Sequence, residues 1–114
     1  MLIEFRRADR SDWTKISAFV SRNYGGYAKF KHRERFEWQL QTDPYSGTLP
    51  YVNSWLAISD DKVVGQISIQ PGRMHLGQTQ VDFHWIVDVM VDKDWRRKGI
   101  AQQLYKSIYE SGAT

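Results

Sequence analysis

Apolar residues recur at helical spacing in three stretches of the chain. The first stretch begins after Asp9 and Ser11, either of which can cap a helix, and ends at Gly25–Gly26. Its apolar residues fall on one helical face: Trp13, Ile16, Phe19 and Val20. The second stretch covers His32–Gln41, and the third runs from about Gly99 to Ser111. The third carries one apolar stripe: Ile100, Leu104 and Ile108. These patterns predict three amphipathic helices.

Other stretches have the short apolar runs that are typical of β-strands. They are Leu2–Arg6, Ser54–Ser59, Val63–Pro71 and Thr79–Val91. Tight turns at Asp60–Asp61–Lys62 and Leu76–Gly77–Gln78 join the last three strands into an antiparallel meander. The last strand is long, so we expect a bulge or bend within it. The order of strand, two helices, three strands and helix predicts an α/β (α+β layered) fold, with helices packed on a mainly antiparallel mixed sheet.

Composition excludes several kinds of chemistry. The 114 residues include no cysteine, so disulfides, thiolate nucleophiles and cysteine-based zinc sites are excluded. This composition is consistent with a cytoplasmic protein. The N-terminal residues lack the apolar stretch of a signal peptide. No apolar run approaches the roughly 20 residues that cross a bilayer, so we expect no membrane association.

Positive charge is concentrated in two places, although the formal net charge is only +3. The clusters are Lys29–Arg35 and Arg96–Lys98, and either would attract an anionic ligand. An acidic residue interrupts the first cluster, which disfavours a nucleic-acid-binding surface. His32 and His75 have no neighbours with metal-ligand spacing, so we expect no metal site.

The most informative segment is a strand that runs through a polar turn directly into a helix. The first N–H groups of a helix lack intrahelical partners and carry partial positive charge, which suits a pyrophosphate. Gly99 has no side chain and Ala101 has a small one, so an anion could come close to these N–H groups. The basic run Arg96–Lys98 would surround the anion with positive charge. The segment therefore predicts a pyrophosphate site. The alternative is an ordinary helix start whose basic residues lie on a solvated face.

The hexapeptide Arg96–Arg97–Lys98–Gly99–Ile100–Ala101 resembles the signature of the GNAT superfamily of acyl-CoA N-acyltransferases. That signature is Gln or Arg, two residues, Gly, one residue, and Gly or Ala. The preceding Val89–Met90–Val91 and the order of elements are also similar to the family. The resemblance implies that backbone amides from Arg96 to Ala101 bind the pyrophosphate of acetyl-CoA. It also implies that the backbone of Val89–Met90–Val91 binds the pantetheine arm.

The resemblance implies an acetyl-CoA-dependent N-acetyltransferase acting by direct transfer, and the lack of cysteine excludes an acyl-cysteine intermediate. The acceptor would be a primary amine on a small molecule, sugar or peptide. The alternative is a non-catalytic acyl-CoA-binding or oligomerisation module with the same fold. A weaker third reading is a small basic nucleic-acid binder.

Amine attack needs a base, and strand alternation supplies two candidates. Uninterrupted alternation places His84 and Asp88 on one face of the last strand, together with Asp82, Ile86 and Met90. The imidazole of His84 can exchange a proton near neutral pH, and Asp88 could act directly or through water. Either residue could instead have a purely structural role, and a bulge would shift the alternation.

Three aromatic residues between the first two helices are candidates for acceptor binding. They are Tyr24, Tyr27 and Phe30. The family resemblance places this region beside the acceptor, whereas surface aromatic packing would explain the residues equally well.

The chain ends soon after the motif helix, whereas the family fold continues with further strands and a tyrosine that protonates the leaving thiolate. We therefore expect a single GNAT-like domain over residues 1–114 that is incomplete at its C-terminus. It could be a piece of a longer enzyme, could receive the missing wall from another copy or subunit, or could be a non-catalytic module. An exposed last strand would invite pairing, which predicts a homodimer through that strand.

Overall fold

In the part of the chain that the structure describes, four antiparallel strands form the main sheet. A computed structural model of the chain describes residues 2–25, 42–43, 47–48 and 52–111. The sheet order is β1-β4-β5-β6. Its strands are β1 (Glu4–Arg7), β4 (Ser54–Ser59), β5 (Lys62–Leu76) and β6 (Thr79–Val91). Two short strands, β2 (Thr42–Asp43) and β3 (Gly47–Thr48), pair separately. The predicted layered fold with an antiparallel meander is confirmed.

Within the described ranges, two helices pack against this sheet. Asp9 caps the 3-10 turn Arg10–Asp12, which leads into α1 (Trp13–Tyr24). A second 3-10 turn, Lys93–Trp95, precedes α2 (Ile100–Glu110). The predicted helix His32–Gln41 lies outside the described residues. Among the described residues, no helix has the length and apolarity needed to cross a membrane.

Each face of the sheet has its own apolar cluster. One face, which we call the α1 face, packs against α1. The apolar cluster between them contains Ala8, Ile16, Phe19, Val20, Val52, Leu56, Ile58 and Val63. The other face, which we call the α2 face, packs against α2. The apolar cluster between them contains Trp55, Ala57, Val64, Ile67, Ile69, Val91, Ile100, Leu104 and Ile108. The predicted stripe of α2 is therefore core. At Gly65 the helix lies so close that an added Cβ would come within 2.9 Å of Ile100.

Strand β5 continues five residues beyond its predicted end at Pro71. Ile69 donates its N–H to Asn53 O (3.0 Å), and among the described residues this is the last bond on that side of β5. Since backbone directions alternate along a strand, the N–H that Pro71 lacks would face the side where β4 has ended. Proline therefore costs no ladder bond here, and β5 continues as a two-stranded ribbon with β6.

Strand β6 has the predicted bounds and the predicted bulge. Gln66 pairs with Met90 but Ser68 pairs with Val87, so β6 holds one extra residue opposite Ile67. Asp88 lies in this bulge with φ +54°. A bulge reverses the alternation of side chains along the strand.

Candidate functional site

A cleft opens where β6 passes into α2. Its volume is about 620 Å³, within the range of pockets that bind small molecules and cofactors. Ten residues line it: Val89, Met90, Val91, Trp95, Arg96, Arg97, Gly99, Ile100, Ala101 and Gln102. The structure thus brings together eight of the nine residues predicted for the cofactor. The ninth, Lys98, is exposed and does not line the cleft.

The start of α2 presents free backbone donors to this cleft. The first bond of the helical ladder joins Gln103 N–H to Gly99 O (3.1 Å). The N–H groups of Ile100, Ala101 and Gln102 therefore precede the ladder. Within the described part of the chain no side chain caps this helix, because its N-cap is Gly99. The donors remain open to an anion.

Gly99 adopts a left-handed conformation that glycine alone tolerates well. Its φ is +76° and ψ is 11°, and an added Cβ would meet nothing within 4 Å. The glycine is therefore required by the backbone turn rather than by close packing within the protein. Gly99 is also one of the residues that line the cleft.

Two arginines flank the helix start in different ways. The Nε of Arg96 donates to Val91 O (3.1 Å), so its guanidinium is held against the strand end. Arg97 is exposed and lines the cleft with φ +64°. A positive φ in a non-glycine residue costs roughly 1–2 kcal/mol, and such strain concentrates at functional sites. Both arginines place positive charge at the cleft.

Two hydrogen bonds show which backbone groups of β6 face its free edge beside the cleft. Asp92 donates its N–H to Val64 O on β5 (2.8 Å). Because backbone groups alternate, the neighbouring Val91 presents its carbonyl to the free edge, where Arg96 binds it. A chain-like ligand along this edge would meet the backbone of Val89 and Val91.

Asp92 is a buried carboxylate that holds the end of β6 to α1. It accepts bonds from Arg22 Nε (3.0 Å), from a second nitrogen of the same guanidinium (2.7 Å) and from Asn23 Nδ2 (2.6 Å). Burial alone would raise the pKa of Asp92, but the hydrogen bonds from Arg22 and Asn23 outweigh it and lower the pKa. The carboxylate is therefore ionised across the neutral range.

The residues that uninterrupted alternation placed on one face with His84 and Asp88 do not all share a face. Ile86 packs with the α2-face cluster, whereas Met90 packs with the α1-face cluster. The single-face prediction was therefore wrong, because the bulge at Asp88 reverses the alternation. His84 alternates with Ile86 and lies on the α2 face, paired with Pro71. Neither His84 nor Asp88 lines the cleft, but Asp88 immediately precedes its first lining residue, Val89.

One predicted acceptor residue lies near the bulge. Tyr24, at the end of α1, is partly buried and packs against the α1-face cluster. Burial raises the pKa of Tyr24 to about 12, and the negative charge of Asp88 contributes to the rise. Asp88 is therefore close enough to Tyr24 for its charge to act on the phenol. Tyr27 and Phe30 lie outside the described residues.

Sequence reasoning missed several contributors to this region. Trp95 and Gln102 line the cleft, and their position inside the turn and first helical turn could have suggested them. The bonds from Arg22 and Asn23 to Asp92 join residues about 70 positions apart, so no local signal could have indicated them. Among the residues the structure describes, no group of three His, Asp or Glu side chains could hold a metal ion.

Comparison with protein families gives a match along almost the whole chain. Residues 4–113 match the model of the acetyltransferase (GNAT) domain. No curated protein matches the chain.

Solved structures share the fold at low sequence identity. An acetyltransferase from Vibrio fischeri has a TM-score of 0.66 at 17% identity over 95% of this chain and 84% of its own. The aminoglycoside acetyltransferase AAC(6')-Iy, solved with a coenzyme A bisubstrate analog, has a TM-score of 0.72 at 16% identity over 98% and 72%. Escherichia coli YhbS, solved with CoA, has a TM-score of 0.67 at 20% identity. The match covers 96% of this chain but 55% of YhbS.

Proposed function

The chain belongs to the GNAT acetyltransferase family, and we propose that it transfers an acetyl group from acetyl-CoA to a primary amine. The observation that carries the proposal is the uncapped start of α2, which opens into a cleft beside two arginines. Acetyl-CoA would supply the activated acyl group as a thioester. The following assignments concern what the residues of this chain would do.

The helix start is the proposed pyrophosphate site. The N–H groups from Gly99 to Gln102 would donate to the phosphate oxygens, and Arg97 would add a charge-assisted contact. Arg96 is already engaged with Val91, so it would contribute positive charge while bracing the strand end. The open space next to Gly99 supports this assignment, because a phosphate needs close approach to the backbone.

The free edge of β6 is the proposed site for the pantetheine arm. The backbone of Val89–Met90–Val91 would bind the arm as an additional strand. Because β6 is the last strand of the sheet, this edge has no neighbouring strand among the described residues. The bulge at Asp88 interrupts regular pairing with β5 immediately before this proposed site.

Asp88 is the proposed base, with His84 as the alternative. Asp88 adjoins Val89 of the cleft and acts electrostatically on Tyr24. A base there would take a proton from the acceptor ammonium, directly or through water, before attack on the thioester. Tyr24, protonated at neutral pH, would serve as a hydrogen-bond donor or acceptor towards the amine, and Tyr27 and Phe30 would complete its surroundings.

The acceptor is proposed to be a small-molecule or peptide amine. The AAC(6')-Iy structure contains a bisubstrate analog that joins coenzyme A to an acetylneamine, which supports amines on small molecules as the first class to test. Thiol release from acetyl-CoA can be followed with a thiol-reactive chromophore without background, because the chain has no cysteine. We expect thiol release that depends on one class within a panel of aminoglycosides, polyamines and lysine peptides.

The alternative function is a non-catalytic acyl-CoA-binding or oligomerisation module. Saturable CoA binding without amine-dependent thiol release from any acceptor would favour this alternative. Absence of CoA binding would contradict both.

We also propose a homodimer formed through the part of the free β6 edge that lies away from the cleft. Trp85 on this strand is 61% exposed and does not line the cleft. Sedimentation velocity should show a dimer that Trp85→Lys weakens, because a charge there opposes burial in an interface. A monomer at high protein concentration would contradict the dimer while leaving the acetyltransferase proposal intact.

A further inference from the structure

Asp92 connects three separate parts of the molecule through its side chain and its backbone. Its side chain accepts bonds from Arg22 and Asn23 at the end of α1. Its N–H donates to Val64 O on β5 at 2.8 Å, and its carbonyl accepts from Trp95 N–H at 2.9 Å. Asp92 is therefore fixed on every side at the residue where β6 ends and the turn into α2 begins.

The arginine on α1 extends this connection to the sheet. Besides its paired bonds to Asp92, Arg22 donates to Val63 O at 2.8 Å. The Asp92 side chain is 8% exposed and that of Arg22 36%, so the pair is shielded on the carboxylate side. Paired charge-assisted bonds of this kind fix orientation as well as distance.

We propose that Asp92 is a positioning residue that fixes the pyrophosphate turn against α1 and β5 through Arg22 and Asn23. It does not line the cleft, so it acts on the ligand through the backbone of the turn. Trp95, which Asp92 holds through a backbone bond, does line the cleft. The inference rests on the proposed function where it concerns CoA affinity, but it makes a claim about the turn that holds without ligand.

A second arginine–aspartate pair in the chain serves as a matched control for the Arg22–Asp92 pair. Arg6 donates two bonds of 2.7 Å each to Asp12, whose side chain is 4% exposed while that of Arg6 is 31% exposed. This pair has the same chemistry and similar burial, but it joins β1 to the start of α1 and lines no part of the cleft. Loss of either pair should destabilise the fold to a similar extent.

The experiment compares Asp92→Asn, Arg22→Lys and Asp12→Asn in the full chain. We expect Asp92→Asn to raise the Kd for CoA on the order of tenfold, the loss typical of one charged hydrogen bond. Arg22→Lys keeps the charge but not the paired geometry, so it should raise the Kd by a smaller factor. Asp12→Asn should leave the Kd unchanged. The Kd for pantetheine, which lacks the pyrophosphate, should be unaffected in all three variants.

Hydrogen exchange of the ligand-free protein supplies a readout that does not depend on CoA. Amides of the 93–102 segment should exchange faster in Asp92→Asn and Arg22→Lys than in Asp12→Asn, at equal distance below each melting temperature. Selective loosening without any CoA binding in the unmodified protein would contradict the proposed function but support the positioning role. Equal effects of Asp92→Asn and Asp12→Asn on exchange and on Kd would overturn the positioning role.

Discussion

Gly99→Leu should have two separate effects: a loss of folding stability from the strained backbone and a loss of CoA affinity from the blocked pyrophosphate site. Gly99 has φ +76° and Gly77, in the turn between β5 and β6, has φ +66°. A Cβ at either position would meet nothing within 4 Å. The two glycines therefore have the same local requirement, but only Gly99 lines the cleft. Gly77→Leu is the matched control.

The expected loss of stability is similar for the two variants. An L-residue in the left-handed region costs about 1–2 kcal/mol, and no clash adds to it. For a domain of this size each kcal/mol lowers the melting temperature by about 4 °C. Both variants should therefore remain folded and melt about 4–8 °C below the unmodified protein.

The expected loss of CoA affinity differs sharply between them. A leucine at Gly99 would fill the space through which the phosphate approaches the amides of α2. Loss of two hydrogen bonds to a charged group corresponds to about 3 kcal/mol or more, which is roughly 100-fold or more in Kd. Gly77→Leu should leave Kd unchanged. Calorimetric titration with CoA checks both values, and near-equal affinities of the two variants would refute the proposed pyrophosphate site.

Three further predictions concern individual charged or titratable side chains. Arg97→Gln should weaken CoA binding several-fold and reduce its salt dependence, whereas Lys98→Gln, on an exposed residue outside the cleft, should change affinity little; titrations at two salt concentrations check this. Burial, and after it the charge of Asp88, raises the pKa of Tyr24 to about 12, so Tyr24 should titrate at lower pH in Asp88→Asn, as measured by NMR of the tyrosine ring carbons. An unchanged pKa would contradict an effect of the Asp88 charge on Tyr24. The hydrogen bond from Arg6 lowers the pKa of Asp12. The stabilisation that this pair gives the fold is therefore present above the unfolded-state pKa of roughly 3.9 and is lost as pH falls through the lower pKa of the folded state. The melting temperature of Asp12→Asn should therefore depend less on pH between about pH 5 and 3 than that of the unmodified protein.

Much of the fold was predictable because its signals are local. The apolar runs fixed β4 and β6 at their observed bounds, and the stripe on α2 identified the helix that packs on the sheet. The predicted end of β5 at Pro71 was wrong. The prediction relied on the rule that a proline interrupts a strand. That rule depends on a neighbouring strand, and β4 has already ended there.

The cofactor region was more accessible to sequence reasoning than the catalytic region. A helix start, a glycine and a basic run lie within a few consecutive residues, so their arrangement follows from the chain itself. The faces of His84 and Asp88 depend on where the bulge falls, and a single extra residue reverses them. The bond between Arg22 and Asp92 joins residues 70 positions apart and depends on how α1 packs.

Chemical shifts of the backbone amides during titration with CoA test the central claim most directly. We expect saturable changes that are largest at the N–H groups from Gly99 to Gln102 and extend along the edge at Val89–Val91. Inorganic pyrophosphate should shift the helix-start amides alone. Saturable binding of CoA that leaves these helix-start amides unchanged would contradict the account.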